Sequence, residues 1–244
     1  MVTAESYEVL RFIEHGGKCR TIMDCADGRL LIQRLKDPKG ITKELVFKWF
    51  RVTAGEAVKY EKCREGQAYR YLNPYSILVT KEEEILLLDL GAKSNESVLK
   101  NMRDPKVQKY FVDPVIRIKE DAGSSAALYS LGKTIQLILA HTEAYISLTR
   151  REEYLLSGII GKCLGVNPKK RYGNLKQIQK ELSNITCKQE KKQQRKTILI
   201  IAVIVLIFAG ICGGRAVAES RKTMTGVQAA DGNREAAVKL AEQE

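Results

Sequence analysis

Leu45, Val46, Trp49, Phe50 and Val52, continued by Ala54, Ala57 and Val58, recur at helical spacing and predict a helix over residues 42–60. Before it, residues 17–23 read as a short strand and Ala26-Asp27-Gly28 as a turn. Leu30, Leu31, Ile32 and Leu35 then return to near-helical spacing. Residues 77–79 and 85–88 are apolar runs joined by the polar Lys81-Glu82-Glu83-Glu84, which predicts a hairpin ending at Asp89-Leu90-Gly91. From Ala126 through Leu139 the chain is apolar nearly all round, as expected of a core helix. Tyr154, Leu155, Ile159, Ile160 and Cys163 form a stripe over residues 151–164. Leu175, Ile178, Leu182 and Ile185 mark a last amphipathic helix. Strands followed by a run of helices imply an α+β domain over residues 1–186.

Residues 197–214 carry no charge and lie between Lys196 and Arg215. At ~1.5 Å per residue they reach ~27 Å, close to a hydrocarbon core, and predict one transmembrane helix. Its position in the chain excludes a cleaved signal peptide. Lys188, Lys191, Lys192, Arg195 and Lys196 precede it, against Arg215, Arg221 and Lys222 after it. The excess of cations places residues 1–186 in the cytoplasm, with 187–196 as a basic juxtamembrane linker and 215–244 as a short extracytoplasmic tail. The net charge of +12 sits before the helix, because the tail balances five cations with five acids. No nucleic-acid reader motif accompanies that charge. The linker cations fit anionic lipid instead, at about 1 kcal/mol each near the surface. Gly210 and Gly214, four apart on the span, would let two such helices approach as a dimer.

None of the six cysteines, Cys19, Cys25, Cys63, Cys163, Cys187 and Cys212, has metal-site spacing, and a cytoplasmic domain should keep them reduced.

The candidate chemistry lies in Tyr69-Arg70-Tyr71-Leu72-Asn73-Pro74-Tyr75-Ser76-Ile77-Leu78, followed by Asp89-Leu90-Gly91. This stretch resembles the catalytic loop and metal-binding turn of the protein-kinase family, H-R-D-L-K-P-x-N-I-L and D-F-G. The resemblance extends over roughly residues 17–184. Residues 17–31 resemble the hinge, and Phe111-Val112-Asp113-Pro114-Val115 resembles the A-P-E end of the activation segment, with Val115 in place of the Glu. Leu128-Tyr129-Ser130-Leu131-Gly132 is similar to the start of the central helix, with Ala127 where an anchoring Asp is usual. Residues 162–172, through Arg171, resemble the K-C-L-x-x-D-P-x-x-R-P stretch before the last helix. The resemblance implies a mostly helical kinase-like large lobe. The small lobe is reduced: there is no glycine-rich loop and no strand-borne Lys, and only His15-Gly16-Gly17 precedes the hinge.

Phosphoryl transfer needs in-line positioning and charge neutralised by metal and cations. By the resemblance, Tyr71 replaces the catalytic base, and a phenol is a poor proton acceptor at neutral pH. It is expected to plug the former site. Asn73 replaces the phosphate-facing Lys, and Ser76 replaces a metal ligand. Asp89 alone survives as a weak candidate for metal or cofactor binding; its structural role would be to cap the turn at Gly91. Arg70 and Arg171 survive without their usual partners, and Asp113, Glu120 or Asp121 could substitute as the partner of Arg171.

These readings imply a membrane-anchored pseudokinase that docks protein partners and carries no cofactor. Its layout is similar to bacterial receptor-type Ser/Thr kinases and to the EssB/YukC-like scaffolds of type VII secretion. The alternative is a divergent Ser/Thr kinase or ATP-binding switch using ATP, Mg and Asp89. A truncated remnant of a larger receptor would show the same motifs.

Overall fold

The computed structural model describes residues 5–114 and 123–185. The predicted membrane span, its basic linker, Gly210, Gly214 and the tail lie outside them, as do Val115, Glu120 and Asp121. Among the described residues, no helix is long and apolar enough to cross a membrane.

Strands β1 (Glu5–His15) and β2 (Lys18–Leu30) form one long hairpin. Its two-residue turn, Gly16-Gly17, has φ of 57° and 75°, the left-handed pair that a type I′ turn demands. A second hairpin joins β3 (Ile77–Thr80) to β4 (Ile85–Leu88), as the polar break at 81–84 predicted. The two hairpins pair with each other at both sides. Val9 and Leu10 lie opposite Leu88 and Leu87, while Gly28, Arg29 and Leu30 lie opposite Thr80, Val79 and Leu78. The four strands therefore close on themselves, and the leucines at the joints are all buried, Leu10 and Leu87 in a larger core and Leu30, Leu78 and Leu88 in a smaller one.

This architecture overturns the predicted turn at Ala26-Asp27-Gly28. Strand β2 runs straight through it, held by pairing with Glu5, Ser6 and Tyr7. Gly28 has a different purpose there. A Cβ at that position would stand 2.5 Å from the Val79 carbonyl, so the glycine permits the strands to approach.

Helix α1 (Leu31–Arg34) is a single turn leading away from β2. Helix α2 (Lys43–Cys63) begins at Thr42, whose hydroxyl accepts from the Leu45 N–H at 3.2 Å. It buries Val46, Phe47, Trp49, Phe50, Ala54 and Ala57 and forms the spine of the larger core. Buried Arg34 ties α1 to this spine: it pairs with Glu83 at 2.9 Å, donates to the carbonyls of Asp37 and Lys39, and stacks over the Trp49 ring at 6.0 Å.

Two short helices were not predicted: α3 (Glu96–Met102) and α4 (Pro105–Phe111). Each is seven residues, too short to display a period, although Asp104 and Pro105 are a readable cap and first turn. Helix α5 (Gly123–Thr142) is the expected core helix. Helix α6 (Arg150–Leu164) starts at a Thr149–Glu152 capping box and stops at Gly165, φ 68°. Its buried stripe is Leu156, Ile159 and Cys163; Tyr154, placed on that stripe from the sequence, is 79% exposed. Helices α5 and α6 touch closely enough that a Cβ on Gly132 would meet the Cys163 Cβ at 2.7 Å. Helix α7 (Leu175–Asn184) lays Leu175, Ile178 and Leu182 against α2.

The expectation of reduced cysteines also needs correction. Cys19, near the start of β2, forms a disulfide with Cys63 at the end of α2, with Cα atoms 4.8 Å apart. The two meet because the hairpin lies along the end of α2. Phe12 packs edge-on against Tyr60, and Glu14 pairs with Lys62 at 2.8 Å. Cys25 is an exposed thiol and Cys163 a buried one, whose ionisation is pushed up by burial.

Lys43 and Glu152, both buried, join the first turns of α2 and α6 at 3.3 Å. Burial works to raise the Glu152 carboxyl, but the Thr149 N–H and hydroxyl and the Lys43 ammonium outweigh it and hold the group below its ordinary 4.5. A carboxylate depressed by folding adds stability above its unfolded pKa and loses it as pH falls through the folded one. Urea denaturation should therefore show stability dropping as pH falls below 4.5, with a shallower acid slope in Glu152→Gln. An unchanged slope would remove Glu152 from the linkage.

Candidate functional site

The stretch from Tyr69 to Ser76 connects α2 to β3 as a loop. Tyr69 is buried, and its hydroxyl donates to the Leu88 carbonyl at 2.8 Å; burial pushes that phenol well above its ordinary range. Ile32 N–H reaches the Pro74 carbonyl at 3.0 Å. From α5, Thr134 donates to the Ser130 carbonyl at 2.9 Å, with the Leu72 carbonyl at 3.3 Å. The loop is thus held from three sides, by β4, α1 and α5.

Asn73 and Ser76 are spent inside this loop. Asn73 is 2% exposed, and its Oδ1 accepts from the Tyr75 N–H at 2.9 Å, a local Asx turn. Ser76 is fully buried; its hydroxyl shares its proton between the Tyr71 and Asn73 carbonyls and accepts from the Asn73 N–H at 3.3 Å. Ser76 is therefore a strut of the loop's own backbone, and Asn73 Oδ1 is engaged in the same way. The Tyr71 ring is half-buried against the smaller core, with the Arg70 guanidinium 5.6 Å from its centre. Arg70 is exposed and contributes that stacking contact.

Asp89 follows β4 directly. Its Oδ1 accepts from the Gly91 N–H at 2.9 Å, the capping role expected of it. Among the described residues, no group of three or more His, Cys, Asp or Glu side chains is arranged to hold a metal ion. Arg171, whose partner the sequence left open, pairs with buried Asp113 at 2.8 Å and reaches the Ser125 carbonyl at 3.3 Å. Asp113 fixes the segment that ends at exposed Pro114.

The residue that sequence reasoning missed is Asn95. It is fully buried just before α3, and its Nδ2 donates to the Glu8 carbonyl at 2.7 Å and the Asp89 carbonyl at 2.8 Å. The Asp89 N–H in turn donates to the Glu8 carbonyl at 2.9 Å. Strand β1 is thereby stitched to the Asp89 turn itself. Glu8 and Asn95 are 87 residues apart, and no local pattern could have paired them. Hollows of about 330 Å³ beside β1 and about 380 Å³ at the α5–α6 connection are lined by none of Tyr71, Asn73, Ser76 and Asp89.

No protein-family model matches the chain, and no curated protein matches it in sequence. Solved structures do match. One is the apo form of PpkA-294, at 18% identity and a TM-score of 0.46, over 71% of this chain and 66% of that one. Another is the PknI kinase domain of Mycobacterium tuberculosis, at 19% identity and 0.48, over 72% and 71%. A cysteine-to-alanine mutant of that same domain gives 19% and 0.49, over 72% and 70%. The similar structures thus include kinase domains.

Replacing Asn95 by Ala removes one of the two donors from each of the Glu8 and Asp89 carbonyls, which keep the N–H groups of Asp89 and Ala92. With two hydrogen bonds lost, Asn95→Ala should cost ~1–3 kcal/mol in chemical denaturation. A loss below ~0.5 kcal/mol would mean that the stitch is replaced by water.

Proposed function

We propose that residues 1–186 are a degenerate kinase-like module that docks a protein partner at a membrane surface and does not transfer phosphate. The observation that carries this reading is the engagement of Ser76 and Asn73 inside the loop, which takes the Ser76 hydroxyl and the Asn73 side-chain carbonyl away from any metal or phosphate. The joint between Glu8 and Asp89 supports it, because the Asp89 N–H and carbonyl are also taken up by hydrogen bonds to Glu8 and Asn95. Asp89 retains a partly exposed carboxylate, which keeps an ATP- or Mg-binding switch as the second reading. One carboxylate is a poor magnesium site without phosphate or further oxygens.

Calorimetric titration of the full chain with MgATP should give no isotherm tighter than about 100 µM. The variant Tyr71→Asp/Asn73→Lys/Ser76→Asn should still transfer no phosphate to a generic protein substrate. Tight MgATP binding, or transfer by the variant, would overturn the docking module in favour of the switch.

The anchor in this reading is the apolar run 197–214, with the cations at 188, 191, 192, 195 and 196 against anionic lipid and the module on the cytoplasmic side. The Cys19–Cys63 disulfide weighs the other way, since such bonds persist mainly in oxidising compartments. The exposed thiol of Cys25 is a natural reporter. A membrane-impermeant maleimide should modify Cys25, read by peptide mass spectrometry, only after the cells are permeabilised. Modification in intact cells places the module outside.

A further inference from the structure

Strand β2 has an open side. Because the Gly16-Gly17 turn closes on the pair His15–Lys18, every second residue from Lys18 onward turns its N–H and carbonyl toward β1. Cys19, Thr21, Met23, Cys25 and Asp27 turn theirs the other way. Strand β3 meets that outer side only at Gly28, Arg29 and Leu30, in the same alternation. Among the described residues, nothing pairs with β2 there from Lys18 to Asp27; the Cys25 N–H makes do with the Asp24 carboxylate at 2.9 Å.

An unpaired strand edge of this length invites another strand, and proteins usually blunt one with a proline, a bulge or a cover. Here it has no proline, and its register with β1 is unbroken by a bulge. Ile22 and Met23, at the middle of it, are 46% and 68% exposed, one on each face of the sheet. We propose that this edge pairs, antiparallel, with the same edge of a second copy of the chain. The proposal is independent of the docking function above and of any contact through residues 197–214.

Charge chooses the occupant and the register. In a two-fold antiparallel pair, facing residues share a face of the sheet, so even positions meet even ones. With Ile22 on the two-fold axis, Ile22 meets its own copy, Thr21 meets Met23, and Arg20 meets Asp24 twice over. Arg20 has no ion-pair partner among the described residues. Asp24 already pairs with Arg11 at 2.6 Å and would be flanked by cations from both copies. Sliding by two residues in either direction sets Ile22 against Arg20 or Asp24. The alternation also agrees: the outward groups of Thr21 and Met23 are those that would exchange hydrogen bonds across the axis. The result is one continuous sheet, β1 and β2 of one copy running into β2 and β1 of the other.

The test uses the full chain in its native membranes, on a Cys25→Ser background, with mild oxidation and peptide mapping. Ile22→Cys should form a disulfide between the two copies at position 22, where facing Cα atoms in a non-hydrogen-bonded pair suit one. Arg20→Cys, which faces Asp24, should crosslink to itself about tenfold less. Thr21→Pro removes only an outward N–H and should abolish the Ile22→Cys crosslink with the circular dichroism unchanged. Should that variant misfold, Arg20→Asp, which sets two carboxylates against each other, is expected to lower the yield about tenfold on its own. No disulfide at position 22, equal yields at positions 20 and 22, or indifference to Arg20→Asp would each overturn the proposal.

Discussion

The arrangement depends on the joint between two hairpins far apart in the chain. Strand β1 meets β4 through only two residue pairs, and the joint holds because the polar groups around it are satisfied. Glu8 gives its carbonyl to both the Asp89 N–H and the Asn95 amide, and Asn95 also satisfies Asp89. Buried carbonyls without donors would be costly in a core otherwise made of leucines. With the joint closed, Leu10 and Leu87 join the larger core built on α2, while Leu30, Leu78, Leu86 and Leu88 fill the smaller one.

That joint also gives the loop from Tyr69 to Ser76 its character. The Tyr69 hydroxyl reads the position of β4 through the Leu88 carbonyl, while α1 and α5 hold the loop's other carbonyls. A loop so constrained has Ser76 and the Asn73 Oδ1 turned into its own backbone. These polar groups are satisfied by local hydrogen bonds. The ion pair of Arg171 with Asp113 holds the chain as it leaves α4.

The β1–β2 hairpin is fastened along its length by unlike means. Strand pairing holds its open end, while the Cys19–Cys63 disulfide, the Phe12–Tyr60 contact and the Glu14–Lys62 pair hold the turn end against α2. Fastened at both ends, the hairpin presents a straight strand edge with little freedom to bend away. Rigidity lowers the entropy lost when a strand docks, which favours an interaction surface at this place.

The sequence by itself determined the elements whose signal is local. The helical period from Leu45 to Val58, the polar break between two apolar runs and the apolar helix after Ala126 all appear where expected. Tertiary structure decided whatever depends on partners distant in the chain. Gly28 looked like a turn residue and proved to be a close crossing, because what fixes it is Val79, which no local rule can see. Cys19 and Cys63 became a pair, and Arg171 chose Asp113, by juxtaposition alone. Periodicity and caps act within a few residues, whereas burial and pairing are properties of the assembled surfaces.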